Sequence, residues 1–352
     1  MKVLYENKRE DKDEWINLWN QFPNKEIYAH PEYLKLEVGE GSNACCAVYQ
    51  EDGEIVFYPF ILRDITYLDI FKNLSDKLFD TITPYGYGGY YYNGNMDNKK
   101  DTLKIFWNEY SKWAKKNKVV CEFIRFNLNN DNLAYYPGQI CHNNNNIIVD
   151  LTKNIDFIYK EFKHKVRKNV NRAISNGLQI IVDYDGERLD DFLKIYYETM
   201  NRRNANDHYF FPKEYFLQLN EKLKGQYIYM YVLFDGSVIS TELLLLSDFN
   251  IYSFLGGTNE KFFPLRPNDF LKFKIIEWGI QNGKKSFVLG GGYIYNDGIF
   301  EYKHAFSPNG VTPFYIGKQI FNESSYQGLV KIKKDNDPLF DANNPFFPLY
   351  RN

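Results

Sequence analysis

The chain has 352 residues and a formal net charge of −2 at pH 7, which argues against bulk binding of nucleic acid and against DNA as a partner. A chain of this length is long for one hydrophobic core, so we expect two domains.

The four cysteines predict no metal site, because they form no C-x-x-C pair and have no histidine at zinc spacing. They are typical of reduced core residues. The N-terminal segment MKVLYENKREDKDEW lacks an apolar signal region, and no apolar run reaches transmembrane length. These features predict a cytoplasmic protein without a transmembrane segment.

The first half of the chain begins with two short helices and a hairpin. Trp15, Leu18 and Trp19 mark the first helix, and Pro31 opens the second, PEYLKL, which contains Lys35. A hairpin follows, with its turn at Glu51-Asp52-Gly53. A segment rich in glycine and tyrosine, TPYGYGGYYYNG, then precedes a helix over 101–117 and the strand VVCEFIRF.

The same order recurs downstream, which indicates a tandem duplication. KEYFLQL mirrors PEYLKL, a second hairpin turns at Asp235-Gly236, Gly256-Gly257 stands where Gly88-Gly89 stood, and Trp278 aligns with Trp113. We therefore expect an α/β fold with mixed α and β elements, in which two units each hold a mixed sheet flanked by helices. The predicted bounds are 1–148 and 149–316, with a tail over 317–352 that packs back onto the first domain.

A basic helix is predicted to open the second unit. Its apolar stripe is Phe162, Val166, Val170 and Ala173. Its cations are Lys160, Lys163, Lys165, Arg167, Lys168 and Arg172. Lys160, Lys163 and Arg167 would form one positive face that suits phosphates, although a solvated surface is the alternative.

The stretch from Arg266 to Phe306 predicts a site for an anion and an acyl group. Pro267 can begin a helix, and Asn268 and Asp269 can cap its first turn. A short apolar strand then ends in three glycines at 290–292, which let a ligand approach the backbone closely. Lys303 follows among aromatic residues, where a fixed cation can stabilise a developing oxyanion. A lysine that extends to solvent is the alternative.

The order of these features resembles the FemAB family within the GNAT acyltransferase superfamily. The resemblance covers most of residues 10–315, and its motifs are PYGYGG, KVRKNVNRAISNGL, NDFLKFKIIEWG, VLGGG and EYKHAF. It implies two GNAT-like domains that face each other across a cleft. The chain lacks the charged insertion that forms a helical arm in staphylococcal-type members.

The resemblance implies an acyltransferase of the cell envelope. FemAB members transfer an amino acid from aminoacyl-tRNA to the stem peptide of a peptidoglycan precursor, and GNAT-like relatives transfer an acyl group from acyl-CoA to an amine. Either donor would be a co-substrate, with no tightly bound cofactor. The implied partners are a nucleotide- or lipid-linked envelope precursor and tRNA. A protein that binds such precursors without catalysis is a further alternative.

The resemblance also suggests roles for individual residues. Lys303 and its neighbour Tyr302 are predicted to be catalytic. Lys35, Arg202, Arg203 and Tyr209 stand near positions that hold acceptor phosphates in the family, and Asn268 and Asp269 would contact substrate. Lys163 and Arg167 are predicted to bind donor phosphates.

The donor is predicted from a departure from the GNAT pattern. LRPNDF replaces the usual glycine-rich pyrophosphate loop. Pro267 removes one backbone N–H, and Asp269 adds a negative charge. Since the basic helix suits an extended polyanion, the sequence favours aminoacyl-tRNA. The alternative is an acyl-CoA-dependent N-acyltransferase acting on an amino sugar or polysaccharide precursor.

Overall fold

The structure, a computed structural model, describes residues 1–128, 133–293 and 297–352. The chain forms two compact units. The first unit comprises Met1–Pro23, Tyr28–Asn143 and Phe314–Asn352, and the second comprises Asn24–Ile27 and Asn144–Pro313. The chain thus returns to the first unit after it has completed the second.

The first unit begins with a strand and two helices that lead into its sheet. Its elements up to residue 125 are β1 (Lys2–Tyr5), α1 (Arg9–Gln21), α2 (Pro31–Leu36), β2 (Ser42–Glu51), β3 (Glu54–Asp64), β4 (Phe79–Ile82), β5 (Tyr91–Asn93), α3 (Lys99–Lys116) and β6 (Val119–Arg125).

The chain then enters the second unit through one long strand. The elements that follow are β7 (Gln139–Asp150), α4 (Ile155–Glu161), α5 (His164–Ser175), β8 (Gln179–Asp183), α6 (Leu189–Arg202), α7 (Lys213–Lys222), β9 (Tyr227–Phe234), β10 (Ser237–Leu246), β11 (Asn250–Thr258), α8 (Pro267–Gln281), β12 (Ser286–Gly290) and α9 (Gly298–His304). Two last elements, β13 (Val311–Ile320) and α10 (Glu323–Asn336), lead back to the first unit.

The two units share one strand topology. In the first, β2 and β3 form an antiparallel hairpin, β4 is antiparallel to β3, and β6 is parallel to β4. In the second, β9, β10, β11 and β12 repeat these directions. Trp113 in α3 and Trp278 in α8 lie on equivalent helices, because each helix connects the parallel strands. The predicted fold of two tandem units with mixed sheets is confirmed.

In each unit, the strand beside the last strand of the repeated topology lies outside that repeat in the sequence: β13 follows the helices of the second unit, and β7 precedes them. The strand order in the first unit is β1-β2-β3-β4-β6-β13, where residues 316–320 of β13 pair antiparallel with β6. The order in the second is β8-β9-β10-β11-β12-β7, where residues 147–150 of β7 pair antiparallel with β12. The second sheet therefore places β12 between a parallel and an antiparallel neighbour.

Both hairpins turn where the sequence predicts. Asp52 and Gly53 have φ angles of 47° and 82°, and Asp235 and Gly236 have φ angles of 48° and 74°. Two consecutive residues with positive φ form the tight turn whose twist matches that of the flanking strands. Asp-Gly is favoured there because both residues tolerate this region at low cost.

The predicted continuous basic helix is wrong. The segment forms two helices, α4 and α5, which are separated at Phe162 and Lys163. The apolar stripe is nevertheless buried as expected, with Phe162, Val166, Val170 and Ala173 at most 3% exposed. The chain turns at this point because Phe162 and Lys163 have non-helical ψ angles of 140° and 145°. Lys160 and Lys163 are consequently not on successive turns of one helix.

The predicted cap of α8 is also wrong. Pro267 is the first helical residue, as expected, but the N-cap is Arg266, which has a left-handed backbone with φ of 64°. Among the described residues, no side chain caps this end. Asp269 is buried and accepts a hydrogen bond from Asn169 of α5 at 3.2 Å. Asp269 therefore holds α5 against α8.

The C-terminal tail contributes to the core of the first unit. Tyr350 is 1% exposed and packs in one apolar cluster with Phe71 and Val120. Its hydroxyl donates to Asp80 Oδ2 at 2.8 Å, and Arg351 Nε donates to the same oxygen at 2.5 Å. A buried carboxylate in the sheet thus fixes the tail.

A second carboxylate, Glu122 on β6, is buried in the first unit and bonded to tyrosines. It accepts hydrogen bonds from the hydroxyls of Tyr58 and Tyr136 at 2.7 and 3.2 Å. Burial raises the pKa of Glu122 to about 7. Protonation of Glu122 therefore stabilises the folded state relative to the unfolded chain.

We expect Glu122→Gln to remove a pH dependence of stability. Because the pKa is raised in the folded state, Glu122 contributes its full stabilisation below the ordinary carboxyl pKa, and this is lost as pH rises to about 7. The urea midpoint of the wild-type protein should fall relative to that of the variant between pH 4.5 and pH 7.5. Glu10→Gln at an exposed site is the control. Parallel pH profiles for wild type and Glu122→Gln would contradict the assignment.

Candidate functional site

The second sheet opens at the ends of β11 and β12. The two parallel strands pair only from Asn250 to Tyr252, opposite residues 286–288, whereas β11 continues to Thr258. β12 ends at Gly290, which has φ of 79° and pairs instead with β7. Ligands commonly bind beyond the carboxyl ends of parallel strands, where backbone groups are accessible.

Lys303 reaches this strand end from α9. Asp297 caps that helix by accepting a hydrogen bond from Phe300 N–H at 2.8 Å, while its other oxygen accepts one from Tyr293 N–H at 2.6 Å. The Lys303 ammonium donates to the carbonyl oxygen of Gly291 at 2.6 Å. A Cβ atom at Gly290 would lie 3.3 Å from Lys303 Nζ, so glycine leaves room for the ammonium. The predicted glycine run and lysine therefore meet.

The Lys303 ammonium is partly withdrawn from water. Burial, with the nearby positive charge of Lys272, lowers the pKa of Lys303 to about 8. Lys303 is therefore a fixed cation near neutral pH that can lose its proton in mildly alkaline solution. This property suits stabilisation of charge that develops during a reaction.

A buried ion pair supports the site from the core. Lys272 of α8 and Glu242 of β10 are 6% and 3% exposed, and Lys272 Nζ lies 2.5 Å from Glu242 Oε1. Ser253 of β11 donates to the same oxygen at 2.5 Å and accepts from Lys272 at 2.9 Å. Three elements are thus joined next to the point where β11 leaves β12. In the sequence, Glu242 is the one charged residue of STELLLL, whereas FLKFKII contains Lys274 as well as Lys272, so the two segments do not reveal the pair by themselves.

Tyr302 contributes a hydroxyl group that has no hydrogen-bond partner in the described part of the chain. Burial raises the pKa of Tyr302 well above its ordinary value, and the negative charges of Asp269 and Glu242 act in the same direction. The hydroxyl therefore stays protonated and can donate to a substrate. An unsatisfied buried hydroxyl is costly, which favours a role in binding.

Lys163 also lies beside α9. Its backbone N–H donates to Ala305 O at 2.8 Å, and its ammonium lies 3.6 Å from Glu301 Oε2 and 3.5 Å from His304 Nδ1. The Lys163 side chain remains 46% exposed, so it can contact a ligand.

Arg167 is engaged within the protein instead. Its guanidinium donates to the carbonyl oxygens of Lys160, at 2.9 Å, and of Phe162. These bonds satisfy the C-terminal end of α4. Four further cations on α4 and α5 are exposed, and α5 contains no acidic residue. They are Lys160, Lys165, Lys168 and Arg172.

The two predicted arginines of α6 occupy different environments. Arg202 donates to Thr258 O at 3.0 Å and lies over the ring of Phe263, 5.1 Å from its centre. Arg203 is the exposed C-cap of the helix. The carbonyl of Tyr209 accepts a hydrogen bond from the Tyr196 hydroxyl. A role for these residues in binding acceptor phosphate stays a prediction.

Lys35 lies on α2 of the first unit, and its ammonium is 3.0 Å from Glu6 Oε1. The Lys35 side chain is 57% exposed, and its predicted phosphate contact stays a prediction. Asn268, in the first turn of α8, is half-buried.

The structure shows neither a metal cluster nor a membrane span in the regions it describes. Residues 1–128, 133–293 and 297–352 contain no group of three or more His, Cys, Asp or Glu side chains that could hold a metal ion. None of the helices in these ranges has the length and apolar character needed to cross a membrane.

Comparisons with known proteins agree with this architecture. Residues 160–304 match the family described as acetyltransferase (GNAT) domain. The crystal structure of FemX is similar with a TM-score of 0.70 and 14% identity, over 93% of this chain and 99% of that chain. The structure of L-PGS from Bacillus licheniformis is similar with a TM-score of 0.55 and 14% identity, over 92% and 95% of the two chains.

No protein of curated function matches the chain in sequence. At 14% identity the structural likeness concerns the fold, and the family match concerns the second unit, where Lys303 lies. The likeness to FemX agrees with the resemblance that the motifs indicate. Residues 160–304 thus match an acetyltransferase (GNAT) domain, and the first unit repeats the strand topology of this matched unit.

Proposed function

We propose that the protein transfers an aminoacyl group to an amine of a cell-envelope precursor at the end of β12. The observation that carries this proposal is the Lys303 ammonium, which the Gly291 carbonyl holds where β11 and β12 separate. The acyl carbonyl would lie near this cation and the Tyr302 hydroxyl. Both groups can stabilise the oxyanion that forms when an amine attacks.

The reaction needs no covalent enzyme intermediate. A neutral acceptor amine forms a bond to the carbonyl carbon, the ester or thioester bond of the donor breaks, and the leaving oxygen or sulfur ends with the proton from the nitrogen. The protein would contribute position and charge stabilisation. Lys303 stays protonated in this scheme. It stabilises the oxyanion with its positive charge and does not act as a base.

We propose aminoacyl-tRNA as the donor. Pro267 is the first residue of α8 and offers no N–H to a pyrophosphate. The basic helix α5 lies beside this end, since Asn169 of α5 bonds to Asp269 of α8. Lys165 and Lys168 on α5 are exposed and would meet an extended polyanion. FemAB proteins, which the chain resembles, use this donor.

An acyl-CoA-dependent N-acyltransferase is the second candidate. It is favoured by the match of residues 160–304 to the acetyltransferase (GNAT) family. The acceptor in this case is an amino sugar or another envelope precursor. The same Lys303 site would serve both reactions, so the choice between them rests on donor binding.

Charged tRNA is expected to bind with an affinity that falls steeply as salt rises. Changing Lys163 and Lys168 to Ala should weaken binding about tenfold and reduce the slope of log affinity against log salt by roughly one for each phosphate that is no longer neutralised. Binding is measured by fluorescence anisotropy at two salt concentrations. The matched control changes Lys194 and Lys224, which are exposed elsewhere on the second unit. Micromolar binding of acetyl-CoA without tRNA binding would instead support the second candidate.

A further inference from the structure

The first unit contains a pocket of about 420 Å³ beside α3. This volume is within the range of small-molecule sites. Its wall combines one face of α3 with the segment before β7 and one residue of β13. The lining residues used below are Lys100, Lys104, Trp107, Tyr135, Pro137 and Gln319.

Two buried polar atoms at this pocket have no partner. Trp107 is 4% exposed, and its Nε1 has no hydrogen-bond acceptor among the described residues. The Oε1 atom of Gln319 likewise has no donor in the described part of the chain. The rings of Tyr58 and Tyr136, each 5.4 Å from the Trp107 ring between centres, hold the indole in place. Native proteins rarely leave such groups unpaired, because each costs the full loss of its hydration.

The charge of the pocket is of one sign. Lys100 and Lys104 lie one helical turn apart on α3, both are exposed, and no carboxylate lines the pocket among the described residues. Tyr135 and Pro137 supply an apolar wall on the other side. A ligand for this site would combine an anionic end with a body that is partly apolar.

We propose that this pocket binds a short peptide or N-acylated amino acid that ends in a free carboxylate. The amide carbonyl of such a ligand can accept from Trp107 Nε1, and an amide N–H can donate to Gln319 Oε1. The carboxylate then meets Lys100 and Lys104. One amide and one carboxylate would thus satisfy both unpaired atoms and the two cations. The pocket lies wholly within the first unit, and its assignment does not depend on the transfer reaction.

The test is calorimetric titration of the full chain with N-acetyl-alanyl-alanine, as both the L,L and the D,D compound, at low salt. We expect binding of at least one stereoisomer, with about tenfold weaker binding of its C-terminal amide. Trp107→Phe keeps an aromatic ring but removes the N–H, and should weaken binding about three- to tenfold. Changing Lys100 and Lys104 to Gln should weaken binding about tenfold and remove most of its salt dependence.

The control Lys116→Gln alters an exposed lysine of the same helix that does not line the pocket. It should bind as the wild type does, and thermal melting checks that every variant is folded. At about 10 mM dipeptide, even millimolar affinity is detectable. If neither the L,L nor the D,D compound binds at this concentration, the proposal is overturned. Equal binding of acid and amide, or binding that neither the Trp107 nor the lysine variants change, would also overturn it.

Discussion

Replacing Lys303 with Met is expected to lower kcat/KM for acyl transfer by about 10²–10³-fold, the usual effect of removing one stabilising group from an oxyanion site. The protein should remain folded, because methionine fills a similar volume and the ammonium was costly to bury. The measurement is a steady-state transfer assay together with thermal melting. Lys261→Met, at an exposed lysine of the same unit, is the matched control and should retain full activity.

The pH profile separates a charge effect from a packing effect. Since burial and Lys272 lower the pKa of Lys303 to about 8, the wild-type kcat/KM should fall as pH rises through that value. Lys303→Arg keeps the positive charge at all accessible pH values and should move this fall to higher pH. The electrostatic role is contradicted if Lys303→Arg and wild type lose activity at the same pH.

Breaking the buried pair of Lys272 and Glu242 is expected to destabilise the second unit by about 3–5 kcal/mol. Lys272→Met would leave the Glu242 carboxylate buried with only the Ser253 hydroxyl as a donor among the three groups that now form the cluster. Changing both residues, Lys272→Met with Glu242→Leu, should recover most of this loss, because no unpaired charge is then buried. The measurement is the urea unfolding of each variant.

The double variant also tests how the charges of Lys272 and Glu242 act on Lys303. Without Lys272 and Glu242, the charges that act on Lys303 from these two residues are gone, and its pKa should change even though the fold is retained. Equal stability of Lys272→Met and wild type would mean that the pair contributes little.

The sequence predicts the tandem fold because its signals are local. An Asp-Gly turn and a helix opened by proline depend on backbone preferences that act over a few residues. Their repetition in the same order indicates the duplication. The glycine run and Lys303 could likewise be associated, because they are separated by a short stretch of chain that α9 brings back to the end of β12.

Features that depend on distant contacts were missed or misread. The basic segment has helical spacing throughout, but a non-helical backbone at Phe162 and Lys163 separates α4 from α5. Arg167 bonds to the carbonyls of Lys160 and Phe162 at this break. Asp269 has the residue type of a cap, yet its bond to Asn169 draws it into the core. The pairing of Lys272 with Glu242 depends on how α8 packs against the sheet, which neither segment reveals alone.

The most direct test of the proposed site is one transfer reaction that contains both donors. The protein is incubated with a nucleotide-linked peptide precursor and with both donors, which are acetyl-CoA and a mixture of charged tRNAs. The mass of the precursor is then measured by mass spectrometry. We expect the wild type to add the mass of one aminoacyl group, and Lys303→Met to add none in the same time. Addition of the mass of an acetyl group would support the site at Lys303 but would show that the donor is acetyl-CoA. If the precursor gains neither an aminoacyl nor an acetyl group, or if Lys303→Met reacts at the same rate as the wild type, acyl transfer at Lys303 is contradicted.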